Sequence, residues 1–183
     1  YGYLYNDEIT STKEASANFE KLFNLADQGI YLNEKADNFK FHQYVAKTPI
    51  IDDRIILGGN RLFFLEPLES TAIACYLDWA RRNWDWIMDG KTTPASNTDF
   101  IHKYTQRLQN FIMWHYMFGS KYDTPFWKTA GKLKFEDPLF DSNLAHAKQH
   151  SMVDLLNDEK YSYGQWQPWN IKLWHDGMTN GKN

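Results

Sequence analysis

The sequence is poor in several things, and each shortage excludes a class of function. Its single cysteine, Cys75, excludes an internal disulfide and a metal site built from several thiolates. It has no excess of positive charge: 20 Lys and Arg stand against 23 Asp and Glu, a net charge of −3. That balance carries no polyanion-binding signature, so no nucleic-acid partner is expected. No apolar run approaches the roughly 18–20 residues that span a bilayer, so no membrane partner is expected either. The opening residues lack the basic start and apolar middle of a signal peptide, and a cytoplasmic location is expected. There is no initiator Met, no internal repeat and no low-complexity segment. What is abundant is aromatic surface. With 8 Trp, 11 Tyr and 12 Phe in 183 residues, the chain has ample material for a core or a flat ligand pocket.

The pattern predicts an α+β chain that is mostly α-helical. Strands are expected over residues 1–5, 38–45 and 54–57 from alternation and short apolar runs. Ser11 and Glu14 form a capping box opening a helix that carries Ala15, Phe19, Leu22, Phe23 and Ala26, with Gly29 as its stop. Further helices are expected over 70–88, with Ile73, Leu77, Ala80 and Trp84 on its apolar side, and over 98–118, with an apolar stripe of Ile101, Tyr104, Leu108, Phe111, Ile112 and His115. Three more follow, from Pro125 through Trp127, over 142–156 and over 169–175. So few strands cannot all find partners within the chain. They are expected to join a larger sheet.

Residues 55–73 hold the densest chemistry. A short apolar strand runs into Gly58-Gly59-Asn60, then an extended segment, then a helix opening near Ser70-Thr71-Ala72. A helix start presents unpaired amides and a positive dipole end, which attract anions. Glycines allow close backbone approach by a ligand. The same pattern also suits a plain turn followed by a helix capped by Ser70 or Glu69, and residue types alone do not choose between the two.

The strings themselves are more specific. Gly59-Asn60 followed by Phe64-Leu65-Glu66-Pro67-Leu68-Glu69-Ser70-Thr71 resembles the signature loop of flavin-dependent halogenases, the tryptophan halogenase family. Two other segments resemble the family in the same order. One is Tyr1-Gly2-Tyr3-Leu4-Tyr5-Asn6. The other is Phe111-Ile112-Met113-Trp114-His115-Tyr116 with Asp123-Thr124-Pro125-Phe126-Trp127.

The resemblance implies the C-terminal part of an FAD-dependent monooxygenase-like fold, whose strands join a sheet in the full enzyme. Residues 1–68 would be a strand-rich part with one helix, completing the flavin and substrate sheets. Residues 69–183 would be a helical part covering the active site. The implied activity uses reduced FAD, oxygen and chloride or bromide to halogenate an electron-rich aromatic substrate. The implied partners are the remaining N-terminal part of the enzyme, a flavin reductase and the aromatic small molecule, with a homodimer also possible.

By motif position, Glu69 is the catalytic glutamate. The amides of Thr71 and Ala72 hold the halide, and Gly59, Asn60, Pro67, Leu68 and Ile73 line the flavin. Arg61 and Ala72 stand where the family commonly has a small residue and a glycine. The Ala72 methyl narrows the approach to halide or flavin. The family's Gly-x-Gly-x-x-Gly and Trp-x-Trp-x-Ile-Pro motifs and its catalytic lysine are absent from the 183 residues. Without halide chemistry, the alternatives are a related flavin monooxygenase, or a non-catalytic helical module binding aromatic ligands or a protein.

Other residues invite chemistry less strongly. His146 and His150 lie four apart on a helix but lack a third ligand, and read as solvated surface with no metal. His115 reads as a core histidine, Cys75 as a small core residue and Asp52-Asp53 as a turn. Trp166, Trp169 and Trp174, close to Tyr161 and Tyr163, either seal a core or sandwich a flat substrate.

Overall fold

A computed structural model describes residues 4–30, 40–66, 71–118, 123–158 and 161–180. Seven α-helices and four two-residue strands are described: α1 (Thr12–Leu22), β1 (Tyr44–Val45), β2 (Ile50–Ile51), β3 (Ile55–Ile56), β4 (Phe63–Phe64), α2 (Thr71–Asp89), α3 (Pro94–Phe118), α4 (Pro125–Ala130), α5 (Pro138–Gln149), α6 (Met152–Leu155) and α7 (Pro168–Asn180). The mostly helical α+β expectation agrees with this inventory.

The helix starts follow their caps. Ser11 accepts from the Glu14 amide, and the Glu14 carboxylate accepts from Ser11 N–H at 2.9 Å. Thr93 and Ser96 exchange the same kind of reciprocal bonds and start α3 one turn earlier than its apolar stripe predicts. Asp137 accepts from the amides of Leu139 and Phe140, so α5 begins at Pro138 rather than at residue 142. A second cap, Ser151 with Asp154, opens α6 separately and divides the single helix expected over 142–156.

The strand expectations need correction. Leu4 and Tyr5 lie outside any strand, and Tyr1–3 fall outside the described residues. Of the strand expected over 38–45, residues 38–39 fall outside the described residues, and among the rest only Tyr44 and Val45 qualify. They pair antiparallel with β4, Tyr44 opposite Phe64 and Val45 opposite Phe63. β3 pairs with β2 across a tight turn in which Asp52 and Asp53 both take φ of +50°. Aspartate tolerates this left-handed region better than most residues, so the pair does make a turn.

One apolar core joins these pieces. Leu62 and Phe63 from the β4 ribbon meet Cys75 and Trp79 of α2, Ile101, Leu108 and Phe111 of α3, Phe140 and Ala147 of α5, and Ile171 of α7. His102 Nε2 donates to the Ala46 carbonyl at 2.9 Å and ties the ribbon to α3.

The stripe predicted for α2 is inverted. Thr71, Cys75, Trp79 and Asn83 face the core, while Ile73, Leu77, Ala80 and Trp84 face outward. Both sides of α2 are apolar. Periodicity therefore finds two faces, and burial chooses the one carrying Asn83.

Candidate functional site

The site is assembled where the end of the β2–β3 hairpin packs beside α2. Gly58 is extended, and Gly59 turns at φ +52° into a short 3₁₀ turn over Gly59–Arg61. A side chain on either glycine would enter open space, so the backbone here is accessible to a flat ligand. Two bonds pin α2 to the ends of this turn. Trp79 Nε1 donates to the Leu57 carbonyl at 2.9 Å, and the Tyr76 hydroxyl donates to the Phe63 carbonyl at 3.1 Å. Between hairpin and helix lies an open, mainly apolar groove of about 350 Å³, lined by Leu57, Gly58, Gly59, Trp79, Trp84 and Ile87 among others.

Of the expected flavin-lining residues, Gly59 lies in this groove. Asn60 is exposed beside it, and Ile73 projects outward from the first turn of α2 without joining its walls. Pro67 and Leu68 lie outside the described residues, as does the expected catalytic Glu69. The expected halide residues Thr71 and Ala72 are the first two residues of α2. Thr71 is buried, and Ala72 packs partly buried against the core. Trp79 and Trp84 are groove residues the pattern did not single out. Their five-residue spacing and aromatic character are visible in the sequence, but the apolar pattern places Trp84 on the core face.

The second family-like segment converges on the same loop. The Tyr116 hydroxyl donates to the Glu66 carboxylate. Burial pushes the phenol above its ordinary value of 10, and Glu66 adds to the shift. Phe126 meets the Tyr116 ring edge-on at 5.8 Å, and Trp127 lies over it at 5.8 Å and 30°. Thr124 caps α4 and Pro125 occupies its first turn, which fixes those two rings. Residues 66, 116, 126 and 127, separate in sequence, thus form one cluster. His115 points elsewhere: its Nδ1 donates to the Phe111 carbonyl at 2.7 Å, and its ring meets Trp174 at 4.4 Å.

The late tryptophans occupy three different settings. Trp166 is buried and stacks on Phe111 with centroids 3.7 Å apart. Trp169 is partly buried and donates through Nε1 to Gln167 at 2.8 Å. Trp174 is partly buried against His115. A second hollow of about 440 Å³, lined by Trp114, Phe118, Phe135, Phe140, Asp141 and Leu144, includes none of the three.

The remaining candidates resolve simply. Cys75 is buried, and desolvation followed by the nearby Asp78 charge pushes its thiol up to about 12, an inert thiol at neutral pH. His150 is exposed as expected, but His146 is partly buried. It pairs with Asp158 at 2.6 Å and stacks on Tyr161 at 3.9 Å, with His150 beside it. Among the described residues no group of three His, Cys, Asp or Glu is placed to hold a metal ion. No helix among them is long and apolar enough to cross a membrane.

The chain belongs to the tryptophan halogenase family, whose profile matches residues 1–174. It is 24% identical over 180 residues to tryptophan 6-halogenase ThaL of Streptomyces albogriseolus. It is 22% identical over the same length to tryptophan 7-halogenase RebH of Lentzea aerocolonigenes. Each match covers 96% of this chain and 33% of the relative, so the chain spans about a third of the length of these curated relatives.

Proposed function

We propose that this chain is the C-terminal part of an FAD-dependent halogenase that acts on an electron-rich aromatic substrate. The observation that carries the reading is the order of the parts: a sterically open Gly58-Gly59 turn beside an apolar groove, then the signature string, then the start of α2. Family membership supports it.

The residues present fit a flat flavin ring. Gly59 offers unobstructed backbone, and Trp79 and Trp84 offer aromatic walls. When bound, reduced FAD would supply the electrons that activate molecular oxygen, and oxygen the oxidising power that turns chloride or bromide into an electrophilic halogen. The chain's own residues have narrower tasks. Gly59, Asn60, Pro67, Leu68 and Ile73 would border the flavin. The amides of Thr71 and Ala72, at a helix start, would hold the halide. Glu69 would orient the oxidant or accept the substrate proton. Residues 1–68 would complete the sheets and 69–183 would cover the site, with Trp166, Trp169 and Trp174 proposed near the substrate. The other two thirds of the enzyme and a flavin reductase would supply what this chain lacks.

The test is a halogenation assay on the family-length protein with reductase, reduced flavin, oxygen, halide and a panel of indoles and phenols. Halogenated product is expected, with Glu69→Gln lowering turnover by about 100-fold or more. An absence of product together with an indifferent Glu69→Gln variant overturns the reading. Oxygenated, halide-independent product assigns a flavin monooxygenase instead.

A further inference from the structure

The outward face of α2 is too regular to be incidental. Ile73, Leu77, Trp84 and Ile87 are 59%, 67%, 63% and 62% exposed, and Ala80 between them is exposed as well. Scattered exposed apolar residues need no explanation, but a continuous stripe does. Their successive spacings of four, three, four and three are those of a helix seam packed along a partner. At 1.5 Å per residue the seam runs about 21 Å. It is also continuous with the groove, because Ala80, Trp84 and Ile87 belong to both. A chain laid on the stripe would supply a further wall beside Gly59.

We infer that the Ile73–Leu77–Ala80–Trp84–Ile87 stripe is the seat of the two thirds of a family-length halogenase that this chain does not contain. The inference rests on the proposed function for the existence of that polypeptide. Its support is the 33% share of the relatives and the continuity of the stripe with the groove. A second copy of this chain is the competing occupant.

Hydroxyl-radical footprinting decides between them, run on the 183-residue chain and on the family-length protein. Val153 and Leu156, exposed on or beside α6, serve as internal references. Oxidation of Leu77 and Trp84 is expected to fall about tenfold or more in the longer protein, as burial removes solvent access. Equal oxidation of both residues in the two proteins overturns the inference. So does protection in a dimer of the 183-residue chain that Leu77→Glu/Trp84→Glu dissolves, since the occupant is then a second copy. The same double variant in the longer protein is expected to lower its thermal midpoint by several degrees, on the order of 5 °C. In the shorter chain, where these positions are exposed, its midpoint should hold. The reverse pattern also overturns the inference. The halogenation assay fails or succeeds independently: protected Trp84 in a protein that makes no halogenated product leaves the docking face standing and removes only the assigned reaction.

Discussion

Tyr116, on the last turns of α3, donates its hydroxyl proton to Glu66, fifty residues earlier at the end of the β4 ribbon. The bond joins two family-like segments that are separate in sequence. Glu66 is thereby anchored to α3, and Thr71 is buried in the first turn of α2.

Replacing Tyr116 by Phe leaves Glu66 without this donor in a half-buried setting. The expected loss is about 1–3 kcal/mol in urea unfolding. Glu66→Gln keeps an oxygen that can accept and is expected to cost less, because only the charge assistance is lost. Equal losses for the two variants would show that the worth of the bond lies in the charge of Glu66, whereas no loss in Tyr116→Phe would show that packing of the ring, which Phe retains, is what matters.

Alkaline stability follows from three phenols. Burial is the first cause holding Tyr104, Tyr116 and Tyr163 above the ordinary value of 10; Asp78, Glu66 and Asp137 respectively add to it. A folded value above the unfolded one means the stabilisation is intact below pH 10 and is lost as pH climbs toward the folded values. Tyrosinate absorbance from these three rings should therefore appear together with cooperative unfolding. Their ionisation in the still-folded protein, near pH 10, would contradict this.

At the acid end, Asp137 is the group to watch. Burial raises its value, but the bonds it accepts from Tyr163, from the Phe140 amide, from Asn110 and from the Leu139 amide together prevail and hold it low. A depressed value stabilises above the unfolded value and is lost as pH falls through the folded one. Asp137→Ala removes the α5 cap and strands the donors of Asn110 and Tyr163, for an expected loss of roughly 2–3 kcal/mol. Asp137→Asn should keep much of the cap and flatten the acid limb of a stability-against-pH curve.

Trp166 separates a core role from a substrate role. Its ring is buried against Phe111, so Trp166→Ala should cost about 3–5 kcal/mol by thermal or urea unfolding. Trp169→Ala and Trp174→Ala, at partly buried positions, should cost less. A Trp166→Ala variant with unchanged stability and weakened substrate binding would assign the ring to the ligand.

Where local chemistry dictates structure, the sequence was legible. The Ser11–Glu14 capping box, Pro125 at the start of α4 and the long α3 stripe all appear as read. Where the outcome turns on tertiary choice, it was not. The β2–β3 turn uses Asp52-Asp53 in place of a glycine signal, so Ile50–Ile51 escaped notice as a strand. Asp137-Pro138 carries a helix-start signal, but the apolar periodicity of this segment begins only near residue 142. On α2 the two apolar faces compete, and periodicity has no means of ranking them. In the sequence Glu66 stands out only as part of the family-like string around Pro67. Only the fold reveals Tyr116 opposite it.

The choice of face on α2 has a polar lock. Buried Asn83 donates to the Trp79 carbonyl at 2.8 Å and accepts from Asn97 of α3, which also reaches the Arg82 carbonyl at 3.3 Å. Thr92 donates to that same carbonyl at 2.9 Å. If α2 rolled about its axis to hide Leu77 and Trp84, the buried Asn97 would lose its Asn83 partner and Asn83 would lose the pocket that shields it. A seam of hydrocarbon alone would permit that roll. The amide pair thus acts as an orientation key: it gives up some burial within this chain and keeps the oily side of the helix turned toward whatever must arrive there.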